Sequence, residues 1–120
     1  MATLTTKLTL SSSTTMSDSL NITATDSLDV GNPTELSRKS IATGSAQAVI
    51  ASNSSFSYVY LQNISSSNAA AWVQVLLGGH AKMRLDVGEF AIFPLYSGQA
   101  ITMEAQTAAC VVEYGYWTKA

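Results

Sequence analysis

Apolar side chains in the first thirty residues fall on even positions: Leu4, Leu8, Leu10, Met16, Leu20, Ile22, Ala24, Leu28 and Val30. A period of two marks strand, with one face apolar and the other polar. The stretch Asp18-Ser19-Leu20-Asn21-Ile22 returns eight residues later as Asp26-Ser27-Leu28-Asp29-Val30 and keeps the same face, which reads as two strand segments or one long bent strand. Ahead of it, Ser11-Ser12-Ser13-Thr14-Thr15 is a low-complexity polar run, either a flexible connection or extended arm that orders against a partner. Gly31-Asn32-Pro33 is a turn signal and the best internal boundary. The chain thus divides into a Thr/Ser-rich N-terminal arm or strands over 1–31 and a β-sandwich domain over 32–120.

Beyond the boundary the strand pattern continues. Thr34 to Lys39 reads as a short strand or a one-turn helix, and Ala48-Val49-Ile50 as a short strand. Phe56 to Ile64 is apolar on both faces at its centre, the mark of an inner strand, and with Trp72 to Leu77 it is expected to close a hairpin-like unit. Gly78-Gly79 turns the chain into Ala81 to Val87, whose Met83 and Leu85 oppose Lys82, Arg84 and Asp86. After a tight turn at Gly88, Phe90 to Leu95 ends at Pro94, which cannot donate to a ladder and marks a strand end or sheet edge. Ile101, Met103 and Ala105 alternate with polar neighbours, and the last strand carries Cys110, Val112, Tyr114 and Tyr116 on one face. Trp72 and Phe93, at the centres of the two most apolar runs, are expected in the core. The fold class is all-β, an antiparallel β-sandwich or jelly-roll-like barrel with an extended N-terminal arm.

Composition narrows the partners. Only 12% of the 120 residues are charged, about half the usual fraction, and the net charge is −2. The six basic residues are scattered, so the footprint for nucleic acid is missing. A surface of Ser, Thr, Ala and Asn is cheap to desolvate and suits contact with other subunits, so a homo-oligomer is expected. The N-terminus has no apolar h-region and no run reaches the ~18 apolar residues of a membrane span, so a cytosol-like compartment and no membrane partner are expected. In that setting the sequons at Asn21, Asn53 and Asn63 read as chance products of Ser/Thr richness.

Candidate chemistry is thin. Cys110 is the single cysteine and reads as a small buried hydrophobe, while His80, the single histidine, reads as an exposed turn residue. Asp18, Asp26 and Asp29 meet at one Ca²⁺ only if the arm folds back on itself. Glu89, Glu104 and Glu113 fall on strands taken as neighbours, where a glycosidase pair is conceivable but lacks a substrate cleft. The aromatics Tyr58, Tyr60, Trp72, Tyr96, Tyr114, Tyr116 and Trp117 read as core and subunit-contact anchors ahead of a carbohydrate-binding face. No enzyme, cofactor or metal site is expected.

The succession Tyr58-Val59-Tyr60-Leu61-Gln62-Asn63, Trp72-Val73-Gln74-Val75, Leu85 to Leu95 and Val111-Val112-Glu113-Tyr114-Gly115-Tyr116-Trp117 resembles small virion structural proteins of tailed bacteriophages, in particular cyanobacterial and marine phages. In that family the turn is often Leu-x-Pro-Gly-Glu; here Val87 stands at the proline and Gly88 is kept. The resemblance covers about half the chain, and it implies a non-enzymatic role in the virion after assembly in the host cytoplasm. Capsid decoration (cement) proteins that bind the head as trimers belong to this group, as do small tail or neck components. The expected partners are the major capsid protein or other virion proteins, with a glycan-binding adhesin module as the alternative. The residues expected to meet a partner are Leu20, Ile22, Leu28 and Val30 on the arm and Tyr116 and Trp117 on the last strand.

Overall fold

The computed structural model describes residues 2–12, 20–33, 36–52, 54–66 and 70–120, and the described residues form ten strands and no helix. In chain order these are β1 (Ala2–Ser12), β2 (Leu20–Pro33), β3 (Ser37–Ile41), β4 (Gln47–Ile50), β5 (Ser57–Asn63), β6 (Trp72–Leu77), β7 (His80–Asp86), β8 (Phe90–Leu95), β9 (Ile101–Gln106) and β10 (Cys110–Lys119). They make two antiparallel sheets packed face to face, a β-sandwich. The larger sheet runs β1-β2-β10-β5-β8, with β3 also on β10, and the smaller runs β4-β9-β6-β7.

Alternation fixes which side chains lie between the sheets. In β5, Ser57, Val59, Leu61 and Asn63 point inward, and in β9, Ile101, Met103 and Ala105 do so. They meet Val73 and Val75 of β6, Ile41 of β3, Ile50 of β4 and Cys110 and Val112 of β10 in one continuous core. At about 25 cal/mol per Å² of apolar surface removed from water, this layer supplies the main drive to fold.

Several expectations change. The even-numbered pattern is a hairpin of two strands: from Leu20 the repeat is one long strand, β2, paired with β1 in unbroken register from Ala2↔Val30 to Ser12↔Leu20. Gly31-Asn32-Pro33 is therefore strand, not turn: Pro33 stands opposite Trp117 and Val30 opposite Lys119, so β10 holds the chain extended there. Residues Ser13 to Thr15 of the polar run, with Met16 and Asp18, lie outside the described residues, as do Thr34, Glu35 and Asn53. Nor do β5 and β6 form a hairpin, since they belong to opposite sheets. Within the sandwich the consecutive pair in one sheet is β6 and β7, joined by Gly78 and Gly79 at φ +60° and +85°, the primed geometry that suits a two-residue loop.

The Gly88 turn is a corner between sheets. Gly88 has φ +88°, and Glu89 N–H donates to Asp86 O at 3.0 Å, closing a four-residue turn with glycine where a positive φ is required. Gly88 N–H donates to Asn63 O at 2.8 Å and Asn63 N–H to Glu89 O at 3.0 Å, tying the corner to the end of β5. Asn63, 0% exposed, completes the tie: its Nδ2 donates to Leu85 O at 3.0 Å, and its Oδ1 accepts from Ser65 N–H at 3.1 Å. Ser65 Oγ in turn accepts from Val111 N–H at 2.8 Å. The Asn-Ile-Ser triplet is thus an internal polar joint, inaccessible in the folded chain.

Candidate interaction face

β2 meets β10 through a register shift between the Trp117↔Pro33 and Lys119↔Val30 pairs. A one-residue shift exchanges the two faces of a strand. Ahead of Pro33, the even-numbered residues of β2 therefore join the outer face of the larger sheet, the face that carries Trp117 and Lys119. Because directly opposed residues share a face, Leu4 with Leu28, Leu8 with Ala24 and Leu10 with Ile22 form a stripe on that same side. The opposite face of the hairpin is polar, from Thr3 with Asp29 to Ser11 with Asn21.

The rest of the outer face comes from the sandwich: Tyr58 and Tyr60 of β5, Phe90, Ile92 and Pro94 of β8, and Glu113 and Trp117 of β10. Hairpin and sheet together bound a concave surface. A cleft of about 820 Å³ lies between Thr6 to Thr9 and Ala24 to Asp26 on one side and Phe90 and Ile92 on the other. It is flanked by clefts of about 370 Å³ beside Tyr58, Pro94 and Lys119 and about 320 Å³ beside Leu36, Tyr60, Glu113 and Trp117. Gly115 lets Leu36 lie flat on the sheet here: a Cβ at that position would stand 2.9 Å from Leu36 Cδ2.

Polar groups in this surface satisfy one another. Arg38 Nε donates to Glu113 Oε2 at 3.2 Å across a directly opposed pair, and Tyr60 Oη donates to Gln62 Oε1 at 2.6 Å and lies 3.4 Å from Glu113 Oε1. Partial burial, the Glu113 charge and its hydrogen bond hold the Tyr60 phenol above its ordinary pKa. Lys119 Nζ sits 4.8 Å from the Tyr58 ring centroid.

Of the residues expected to meet a partner, Ile22 and Leu28 lie on the concave face, with Ile22 exposed. Leu20 pairs with Ser12 at the far end of the hairpin, and its side chain lies outside the described residues. Val30, opposite Lys119 on that face, is only 1% exposed, and Tyr116 packs against the core, so neither side chain is accessible. Trp117 lines the cleft beside Leu36. Phe90, Ile92 and Leu8 were not among the residues expected to meet a partner; Phe90 and Ile92 stand on the outer face of the edge strand β8 and Leu8 on β1, and all three are exposed.

The carboxylates do not assemble. Glu104 lies on β9 in the smaller sheet, Glu113 on β10 in the larger and Glu89 at the corner, so their strands are not neighbours as expected. Asp26 and Asp29 point to opposite faces of β2, Asp18 lies outside the described residues, and no group of three or more His, Cys, Asp or Glu gathers among the described residues. His80 is exposed at the start of β7 and Cys110 is buried. Among the described residues no helix is long and apolar enough to cross a membrane. Comparison with protein families, with curated proteins and with solved structures gives no match.

Proposed function

We propose that this chain is a non-enzymatic structural component of a tailed-phage virion, of the capsid decoration type, which associates as a homotrimer and stabilises the head by bridging major capsid subunits. The observation that carries the reading is the outer edge of β1, which no strand among the described residues covers. It is 11 residues long, straight in register, free of proline, and charged only at Lys7. Proteins ordinarily blunt such an edge with charge, bulges or cover, because its unpaired N–H and C=O groups pair readily with another chain. An edge left in this state suits a protein whose neighbours in an assembly complete the sheet by strand addition. The resemblance over Tyr58 to Trp117 supports a virion as that assembly. Cement of this kind acts by mass action: it binds the closed lattice, not free subunits, and so adds to lattice stability.

The aromatic and polar cluster of Tyr60, Trp117, Glu113 and Arg38 favours a second reading, a tail- or neck-associated module that holds a glycan. Quantitative gel analysis and labelling of purified particles separate the two. A decoration protein is present in hundreds of copies spread over the head, as repeated lattice binding requires, and a tail module in tens or fewer at one vertex. Absence from purified particles overturns both readings.

A further inference from the structure

The chain as a whole exposes more surface than a free subunit of this mass requires. The chain exposes 7171 Å², against about 6,200 Å² for a compact monomer of its size. Its radius of gyration is 15.7 Å, against about 13.6 Å for a compact chain of this length. The excess of about 900 Å² is close to the roughly 800 Å² that each partner contributes to a standard interface. Exposed large apolar side chains concentrate on the concave face: Leu8 at 43%, Leu10 and Ile22 on the hairpin, Phe90 at 60% and Ile92 on β8, with Leu36 beside Trp117.

We infer that this face is the seat of a second copy of the same chain, the hairpin stripe of one copy lying on the outer sheet of the next, a head-to-tail contact of the kind that closes a trimer. The charges favour a second copy. Asp26 and Glu113 lie on the same face as Arg38 and Lys119, with Lys7 at the cleft rim, so each copy presents both signs and can pair them with those of the other. One chain also supplies both apolar surfaces, which lets a closed contact bury the two stripes at once. The inference rests on the assembly reading above and assigns the surface of its self-contact, leaving the β1 edge and the threonine-rich hairpin face for the particle.

Sedimentation velocity of the full chain at tens of micromolar tests it. The wild type self-associates, and Leu8→Asp or Phe90→Asp each weakens that association about 100-fold or more, as an unpaired charge in an apolar contact does. Both positions are exposed, so circular dichroism and Tm stay at the wild-type values. Thr23→Asp, on the polar face of the hairpin and outside the clefts, leaves association unchanged. Mixing a Leu8→Cys chain with a Phe90→Cys chain under mild oxidation gives a disulfide-linked pair, and replacing the first by Thr23→Cys does not. A monomeric wild type overturns the inference, as does an oligomer indifferent to both Asp substitutions. Incorporation into particles is scored separately: a chain that self-associates through this face but never enters particles removes the virion reading and leaves this one standing.

Discussion

Asn63 is the residue on which the two sheets are joined, and its removal tests that joint directly. Asn63→Ala deletes the donor to Leu85 O and the acceptor of Ser65 N–H, both in buried residues. A buried polar group left without a partner costs about 1–3 kcal/mol, so the two together predict a loss of about 2–5 kcal/mol. For a domain of this size that is a fall in Tm of roughly 10–20 °C. Urea unfolding followed by tryptophan fluorescence and circular dichroism measures it. Asn63→Leu separates hydrogen bonding from packing, since it fills the space but leaves the same two groups orphaned; it should cost nearly as much as alanine. Asn63→Asp adds a pH signature. Burial raises the folded-state pKa of the new carboxyl above its unfolded value of about 3.9, and the protonated form can still donate to Leu85 O. The variant is therefore closest to wild type below that unfolded value and loses stability as pH rises through the folded pKa. An alanine variant within about 0.5 kcal/mol of wild type, or a leucine variant fully restored, would refute the joint.

Trp72 and Phe93 should no longer cost the same when truncated. Phe93 packs against the core and its alanine variant should lose about 3 kcal/mol, whereas Trp72 lies half-exposed on the outside of β6 under Arg84, 4.3 Å away, and should lose about half as much by urea unfolding. Thr107 holds φ +74°, a conformation costly for a β-branched residue, so Thr107→Gly should raise stability by roughly 1 kcal/mol in the same assay. Tyr60 should ionise above its ordinary range in an ultraviolet titration, and Glu113→Gln should bring it earlier. Its folded pKa lies above the unfolded value of about 10, so its contribution is complete below pH 10 and fades as pH rises beyond.

The sandwich was legible because its signals are local. Period-two runs bounded by glycine located β5 to β10 within a residue or two, and Pro94 announced an edge that β8 does occupy. Sheet membership was not legible, because a tight turn that keeps a strand in its sheet and one that sends it across the core can share the same residues. Gly78-Gly79 does the first and Gly88 the second. What distinguishes the Gly88 corner is Asn63, more than twenty residues away, whose side chain gives no sequence signal beyond an Asn-x-Ser triplet with a bland explanation. Trp72 misled for a related reason: its run is apolar but for Gln74, and it is Val73 and Val75 that turn inward, leaving the indole on the outer side beside Arg84 of the neighbouring strand.

The hairpin's role turns on one irregularity. Period two in residues 2–30 announced a one-sided strand but could not say which side of the molecule it would face. The shift between Trp117 and Lys119 decides it by handing the leucine-rich side to the outer surface; without that shift the stripe would have continued the inner face instead. A two-stranded hairpin is marginal alone in water, and ordering its residues costs about 1–2 kcal/mol each in backbone entropy. Val30 is fully buried where the hairpin leaves the sandwich, yet Leu8, Leu10 and Ile22 remain exposed farther along. Apolar cover therefore runs out along the strand pair while its regular register continues to Ser12↔Leu20. On the assembly proposed above, that mismatch between regular backbone pairing and missing apolar cover would be made good by a neighbouring subunit.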